Sequence, residues 1–198
     1  MADQTIKINE GTGKGLHTWE RVIGGVTLQD EIILQGEHNL PTYVIPFGAS
    51  VATGNDHLLQ IMAGSSLNVR IREIYLSQDT LATTANRDSI QVIRLTTAGT
   101  GGSAITPQKH DPADAASGAT AQTLPSTKGT EGTTLIQFLL PMAQTAPFPG
   151  LVYQWQHTAF QKPLMIAAGT ANGLAIKSLA AIAAATVRGY VIFDESSF

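Results

Sequence analysis

The hydrophobic pattern between His57 and Ser77 is the clearest structural signal in the chain. Apolar and polar residues alternate from residue 67 to residue 72, and this period of two is typical of a β-strand with one buried face. The phase then shifts, which predicts a β-bulge near Arg72–Glu73. The small residues at 63–66 fit a turn, so the whole stretch predicts a β-hairpin.

A similar pattern recurs in residues 164–177. The matching residues are Ile61, Ala63 and Gly64 with Ile166, Ala168 and Gly169, followed by Leu67, Val69 and Arg70 with Leu174, Ile176 and Lys177. Two hairpins in a β-rich chain can resemble each other by chance. Alternatively, the chain is a sandwich made of two similar halves, as in a double Greek key.

Short β-prone runs, separated by Gly, Pro and polar turn residues, fill most of the remaining chain. They predict two short strands within residues 16–34, an edge strand or a bent connection at 43–45 that Pro46 closes, and further strands at 90–95, 133–140, 151–160 and 187–194. The alanine-rich stretch 178–186 predicts a turn or one helical turn. About eight to ten strands of this kind predict an all-β, jelly-roll-like antiparallel β-sandwich.

Two segments do not have the composition of a core. Residues 1–15 are polar and Gly-rich and predict a flexible N-terminal arm. Residues 97–132 contain only Ile105 and Leu124 as large apolar residues, which predicts a long Gly/Ala/Thr/Pro-rich loop excursion. The remaining length suits one domain, so we expect a single β-sandwich domain over residues 16–198.

The composition narrows the possible partners. Charged residues are 14% of the chain, against a usual share of about a quarter, so much of the surface is small and neutral, which favours packing against other subunits. The net charge of −3 and the scattered Lys and Arg residues argue against a nucleic-acid partner. The absence of cysteine excludes disulfides and Cys-based metal sites. No apolar run predicts a signal peptide or a membrane span, so we expect synthesis in the cytoplasm and no membrane partner.

Motifs for nucleotide chemistry and nucleophilic catalysis are incomplete. The run Gly11–Gly15 lacks the spacing and the Ser or Thr of a P-loop, and Gly99–Gly102 does not precede a predicted helix. No Gly-x-Ser-x-Gly elbow occurs. We interpret three acidic pairs as solvated turn or terminal residues: Asp30 and Glu31, Asp111 and Asp114, and Asp194 and Glu195.

Histidines can form a metal site, and aromatic residues can form a sugar-binding site. The histidines are widely spaced, without the His-x-His pattern of a cupin, and we interpret them as isolated residues; they are His17, His38, His57, His110 and His157. Four aromatic residues suggest either a sugar-binding platform or core and interface anchors, and their scarcity favours anchors; they are Trp19, Tyr43, Tyr153 and Trp155. We therefore predict no catalytic, cofactor-binding or metal-binding residues and no enzyme activity.

Three stretches carry a resemblance to a known class of protein: LLQIMAGSSLNVRIREI at residues 58–74, TAGTGGSAITPQKHDPADAASGAT at 97–120, and KPLMIAAGTANGLAIK at 162–177, followed by GYVIFDE. In texture and segment order the chain resembles structural proteins of tailed-bacteriophage virions, and in particular the jelly-roll auxiliary proteins that decorate or cement capsids. The resemblance implies a non-enzymatic homotrimer that binds the phage major capsid protein at the capsid surface. It includes no catalytic motif.

The leading hypothesis is a capsid decoration protein whose arm (1–15) and excursion (97–132) become ordered against neighbouring subunits. The alternative is a receptor- or glycan-binding module of a phage head or tail fibre, which requires exposed aromatic residues. A third hypothesis is a cupin-like enzyme, which requires at least two histidines to converge with a carboxylate.

Overall fold

The chain divides into two compact units, residues 1–39 and 40–198. The computed structural model describes residues 18–23, 26–31, 40–51, 53–83, 86–142, 152–158 and 161–197. In the first unit, β1 (Thr18–Ile23) and β2 (Val26–Glu31) form an antiparallel hairpin, which confirms the two short strands expected there. The predicted arm, residues 1–15, lies outside the described residues. The unit boundary falls later than the boundary at residue 15 that the sequence suggests.

The second unit is built from two antiparallel sheets around one hydrophobic core. One sheet has the strand order β10-β6-β13-β4-β9-β7, and the other has the order β11-β5-β14-β3-β8, with β12 also paired to β5. The strands are β3 (Thr42–Ser50), β4 (His57–Met62), β5 (Asn68–Thr80), β6 (Asn86–Leu95), β7 (Ser103–Ile105), β8 (Gln108–Lys109), β9 (Thr120–Thr123), β10 (Glu131–Met142), β11 (Val152–Gln156), β12 (Leu164–Ile166), β13 (Gly173–Ser178) and β14 (Thr186–Ser196).

The eight principal strands have the connectivity of a jelly roll. Strands β4, β13, β6 and β10 form one four-stranded layer, and β3, β14, β5 and β11 form the other, so the chain crosses between layers in the double Greek-key pattern. This confirms the predicted all-β sandwich. Helices are missing from the described ranges, so no helix there is long and apolar enough to cross a membrane.

The predicted hairpin at His57–Ser77 is wrong in its pairing, although both strands exist. Strand β4 pairs with β13 and β9, whereas β5 pairs with β14, β11 and β12 in the opposite sheet. The same correction applies to residues 164–177, where β12 and β13 belong to different sheets. An alternating pattern requires one buried face, and two strands that face each other across a core satisfy it as well as a hairpin does.

The two similar stretches are partners of each other. Strand β4 pairs with β13 and β5 pairs with β12, while the Gly169 N–H donates to the Gly64 carbonyl oxygen at 2.8 Å. The stretches therefore occupy equivalent positions in the two Greek keys. The predicted bulge is also confirmed, because Ile71 pairs with Phe193 and Glu73 pairs with Ile192, which leaves Arg72 as the extra residue.

Two other local predictions can be compared with the structure. Strand β3 does not end at Pro46 but continues to Ser50, and Pro46 lies beyond the two residues that pair with β8. The strand is a sheet edge at that point, where a missing N–H donor is tolerated. The alanine-rich stretch forms a turn, as expected, with Ala184 at a φ of 63°.

The excursion at 97–132 contains three short strands that the sequence did not predict. Strand β9 extends the sheet beside β4, β7 follows β9, and β8 pairs with β3 in the other sheet. Backbone hydrogen bonds to an existing edge need no large apolar side chains, which is why the composition of this segment gave no strand signal.

The two ends of the excursion form a ribbon on the outer face of the β4 sheet. Thr100 pairs with Thr127, and the Thr96 N–H donates to the Thr130 carbonyl oxygen at 3.0 Å. The Gly99 N–H donates to Oε1 of Gln60 at 2.9 Å. The Gln60 side chain lies on the outer face of the sheet, because its neighbours along the strand face the core. It is nevertheless fully buried, so the ribbon shields this part of the outer face from solvent.

We predict that Gly99→Ala destabilises the fold while Gly132→Ala does not. A Cβ at residue 99 would lie 2.6 Å from the Thr127 carbonyl oxygen and 2.8 Å from Gln60 Oε1, whereas at residue 132 its nearest neighbour would be 3.4 Å away. Overpacking of this kind costs about 1–3 kcal/mol. Urea unfolding of both variants measures the difference. Equal midpoints for the two variants would show that the ribbon does not pack tightly on the sheet.

Candidate interaction surfaces

The end of β14 carries a buried polar site with several hydrogen bonds. Glu195 is 3% exposed, and its carboxylate accepts hydrogen bonds from Ser117 Oγ at 2.9 Å, the Gly118 N–H at 3.1 Å and the Ala119 N–H at 2.9 Å. A buried carboxylate is stable when its oxygens are satisfied in this way. Glu195 therefore fastens the excursion to the sandwich.

Asp194 forms a second buried charge cluster beside it. Its carboxylate lies 2.9 Å from Arg70 Nε and also binds Arg72, and Arg72 Nη1 is 3.3 Å from Nδ1 of His157. These contacts join β14 to β5 and to the residue after β11. The interpretation of Asp194 and Glu195 as solvated terminal residues is therefore wrong, because pairing with arginines and with excursion N–H groups makes their burial possible.

His57 lies in β4 of the other sheet, under the excursion, where its carbonyl oxygen accepts a hydrogen bond from the Leu124 N–H at 3.1 Å. The ring is fully buried, with Nε2 at 3.0 Å from Glu131 Oε1 and Nδ1 against the Gln60 amide. Glu131 also accepts a hydrogen bond from Lys177 Nζ at 2.7 Å. Burial lowers the pKa of His57, and this outweighs the opposite effect of Glu131. Burial raises the pKa of Glu131, but the hydrogen bonds from Lys177 and His57 outweigh it and leave that pKa below its usual value.

The remaining histidines do not converge on this cluster. His110 is exposed in the excursion and His157 contacts Arg72, while His17 and His38 lie outside the described residues. Within the described ranges, no group of three or more His, Cys, Asp or Glu side chains could hold a metal ion. The run Gly11–Gly15 is not described, and no helix begins at Gly99–Gly102.

The aromatic residues named from the sequence serve packing where they are described. Tyr43 is 1% exposed and stacks on Phe193, with ring centroids 5.3 Å apart. Tyr153 and Trp155 pack against the core, and the side chain of Trp19 lies outside the described residues. Burial raises the pKa of Tyr153, as expected for a ring on an inner face.

A different aromatic pair lies on the outer face of the β5 sheet. Tyr75 and Tyr190 occupy directly paired positions, and their rings stack with centroids 5.0 Å apart. Tyr190 Oη donates to Glu73 at 2.7 Å, and Glu73 also accepts from the amides of Gln154 and Gln156. Burial raises the pKa of Glu73, but these hydrogen bonds outweigh it and lower that pKa. The sequence analysis missed this pair, whose only signal was two tyrosines in the outward phase of their strands.

A shallow depression of about 590 Å³ lies on the same sheet face, near the far end of β3. Its lining includes Pro46, Gly48, Thr186 and Arg188. Arg188 Nε is 2.8 Å from Asp79 Oδ2, and both side chains are solvent-accessible. Exposed pairs of this kind contribute little to stability, so the depression is a polar, open surface.

The third surface is the flank formed by β10 and β11, which are the end strands of the two sheets. Phe138 of β10 stacks on Tyr153 of β11, which places the two edges side by side. Leu139 is 59% exposed and Val152 is 46% exposed. We call residues 131–142 and 152–156 the β10–β11 flank.

We predict that Glu195→Gln loosens residues 117–119 and lowers the free energy of unfolding by about 1–3 kcal/mol, because a neutral amide cannot replace a buried carboxylate that accepts three hydrogen bonds. Hydrogen exchange of the Gly118 and Ala119 amides measures the local effect, and urea unfolding measures the global one. Asp111→Asn, at an exposed excursion residue, is the control. Unchanged protection of both amides would contradict the role given to Glu195.

We predict that stability falls as the pH is lowered through the usual histidine range, because His57 has a lowered pKa in the folded chain. The unfolded chain then binds a proton more readily, so the free energy of unfolding decreases from about pH 6.5 downwards until the folded-state pKa is passed. His57→Gln should flatten this dependence, and His110→Gln, at an exposed residue, is the control. Parallel pH profiles for wild type and His57→Gln would refute the assignment.

These surfaces are the features of the described sandwich that can carry function. They comprise an excursion bound by Glu195, an outer sheet face with a tyrosine pair, and a flank whose only charged residue is Glu131. Comparisons of the chain with protein-family models, with curated proteins and with solved structures found no match.

Proposed function

We propose that the chain is a non-enzymatic structural protein of a phage virion, which decorates and stabilises the capsid through contacts between subunits. The observation that carries this proposal is the jelly-roll topology, an architecture that recurs in virus capsid proteins as well as in lectins and cupins. Because one fold serves several functions, the proposal also depends on the character of the surface.

The surface favours binding over a large area. Charged residues are only 14% of the chain, so broad contacts desolvate few unpaired charges. The excursion is bound to both sheets and to Glu195, which gives a preorganised surface and reduces the entropy lost on association. This modifies the hypothesis that the excursion becomes ordered only on a neighbour: it instead presents a shape that exists beforehand.

The partners follow from the resemblance stated above. The proposed partner is the phage major capsid protein, and the proposed assembly is a homotrimer on the outer surface of the capsid, after synthesis in the host cytoplasm. The predicted arm at residues 1–15 is proposed to reach a neighbouring subunit. These assignments extend the proposal and share its test.

The alternative, a receptor- or glycan-binding module, has one observation in its favour, the outer-face pair of Tyr75 and Tyr190. Sugar recognition uses an aromatic face that is open to stacking, but each of these rings covers one face of the other. The Tyr190 hydroxyl donates a hydrogen bond to Glu73 and is not free to bind a sugar. The geometry therefore supports the capsid protein better than the glycan-binding module.

We predict that the purified chain co-sediments with shells assembled from the phage major capsid protein, and that binding slows tryptic cleavage at Lys109 and Lys128. Both residues are exposed in the excursion, and a bound shell would cover them. Shells of an unrelated protein are the control. Protein that remains in the supernatant would refute the proposed function, and equal cleavage rates with and without bound shells would exclude the excursion from the contact.

A further inference from the structure

We infer that the β10–β11 flank is the surface through which copies of this chain contact one another. The inference deepens the proposed function, on which it depends for the assumption that the protein works as an assembly. It starts from the absence of charge: no Asp, Glu, Lys or Arg occurs between Gly132 and Gln161. This range includes all of β11 and all of β10 except Glu131.

An uncharged sheet edge is unusual for a protein that exists alone. The unpaired N–H and C=O groups of an edge strand are a template for another strand, and isolated proteins protect such edges with charges, prolines, bulges or short strands. Strand β10 has 12 residues and pairs only with β6 among the described strands. Its only proline, Pro141, is the next-to-last residue of the strand, and both register shifts come before Ile136, so residues 136–140 contain neither a proline nor a bulge.

The opposite flank of the same sandwich is protected by short strands, charges and prolines. It ends in β7 and β8, which have only three and two residues. Exposed Lys109, His110 and Asp111 follow each other there, and Pro107 and Pro112 flank them. The two flanks of the sandwich therefore differ, and among the described strands the β10–β11 flank is the one open to strand pairing.

Apolar side chains border the open flank on both sides of the sandwich. Leu139 pairs with Ser89 and points away from the core, and Val152 pairs with Ser77 in the other sheet. With Leu124, they are the large apolar residues that are exposed in the described chain. Phe138 and Tyr153 fill the space between the two edges, so the flank is continuous across both sheets.

A second copy of the same chain fits this surface better than a charged partner does. Two neutral flanks approach each other without like-charge repulsion, whereas a charged partner would lose hydration and gain no opposite charge. The protected flank cannot serve as the complementary edge, so like flank meets like flank. Two copies then form a closed two-fold contact, because a surface that pairs with itself is self-complementary; a trimer would need a different surface.

The mass of the full chain over a dilution series, measured by light scattering, tests the inference. We expect an oligomer for the wild type, and at least a tenfold weaker association for Leu139→Lys and for Val152→Lys, each of which places a charge on the flank. Leu124→Lys is the matched control, because Leu124 is exposed but lies in the excursion, and it should keep the wild-type mass. Circular dichroism and melting curves confirm that each variant is folded.

Hydrogen exchange gives a second readout that does not depend on a substitution. The amides of β10 should be better protected at high than at low protein concentration, while those of β7 should not change. A monomeric wild type, or variants that keep the wild-type mass, would overturn the inference. So would protection of β10 that appears only when capsid shells are added, since the flank would then bind the capsid protein.

These experiments distinguish a failure of the inference from a failure of the proposed function. A monomer that still co-sediments with shells would overturn the inference and leave the capsid proposal intact. An oligomer that dissociates on Leu139→Lys but never binds shells would support the inference and refute the capsid proposal.

Discussion

The buried carboxylates of Asp194 and Glu195 connect parts of the sandwich that the core alone does not hold. Strand β14 lies between β5 and β3, and its last residues contact the arginines of β5 on one side and the excursion on the other. Removing one partner of a buried charge leaves the other unsatisfied, which costs several kcal/mol. The excursion therefore depends on Glu195, which lies more than 70 positions away from it in sequence.

The hydrogen bonds between Glu195 and the excursion influence which edges of the sandwich remain open. Once Glu195 holds Ser117 and Ala119, β9 and β7 extend one sheet and β8 extends the other on the same side. The ribbon at the ends of the excursion returns over Gln60 to the start of β10. The excursion thus protects one flank and one outer face, while β10 and β11 remain end strands.

Local structure was predictable where a residue's environment depends on its immediate neighbours. The alternation at residues 67–71 predicted a half-buried strand, and its change of phase predicted the bulge at Arg72. The jelly-roll class followed from the number and spacing of such strands. Strand partners were not predictable, because β4 and β5 show the same pattern whether they pair or face each other across a core. The roles of Glu195, His57 and Gln60 depend on contacts between distant segments, and neither spacing nor composition records those contacts.

Charged residues are distributed unevenly between the two flanks of the domain. Lysines and acidic residues occur in the excursion, where short strands need protection, and they are missing from Gly132 to Gln161. A neutral segment that long would be a liability for a solitary domain, because transient edge pairing leads to aggregation. It is an advantage for a subunit of a repeating assembly, where one flank must bind and the other must not. The same asymmetry explains why a chain with so few charges keeps most of them away from its longest exposed edge.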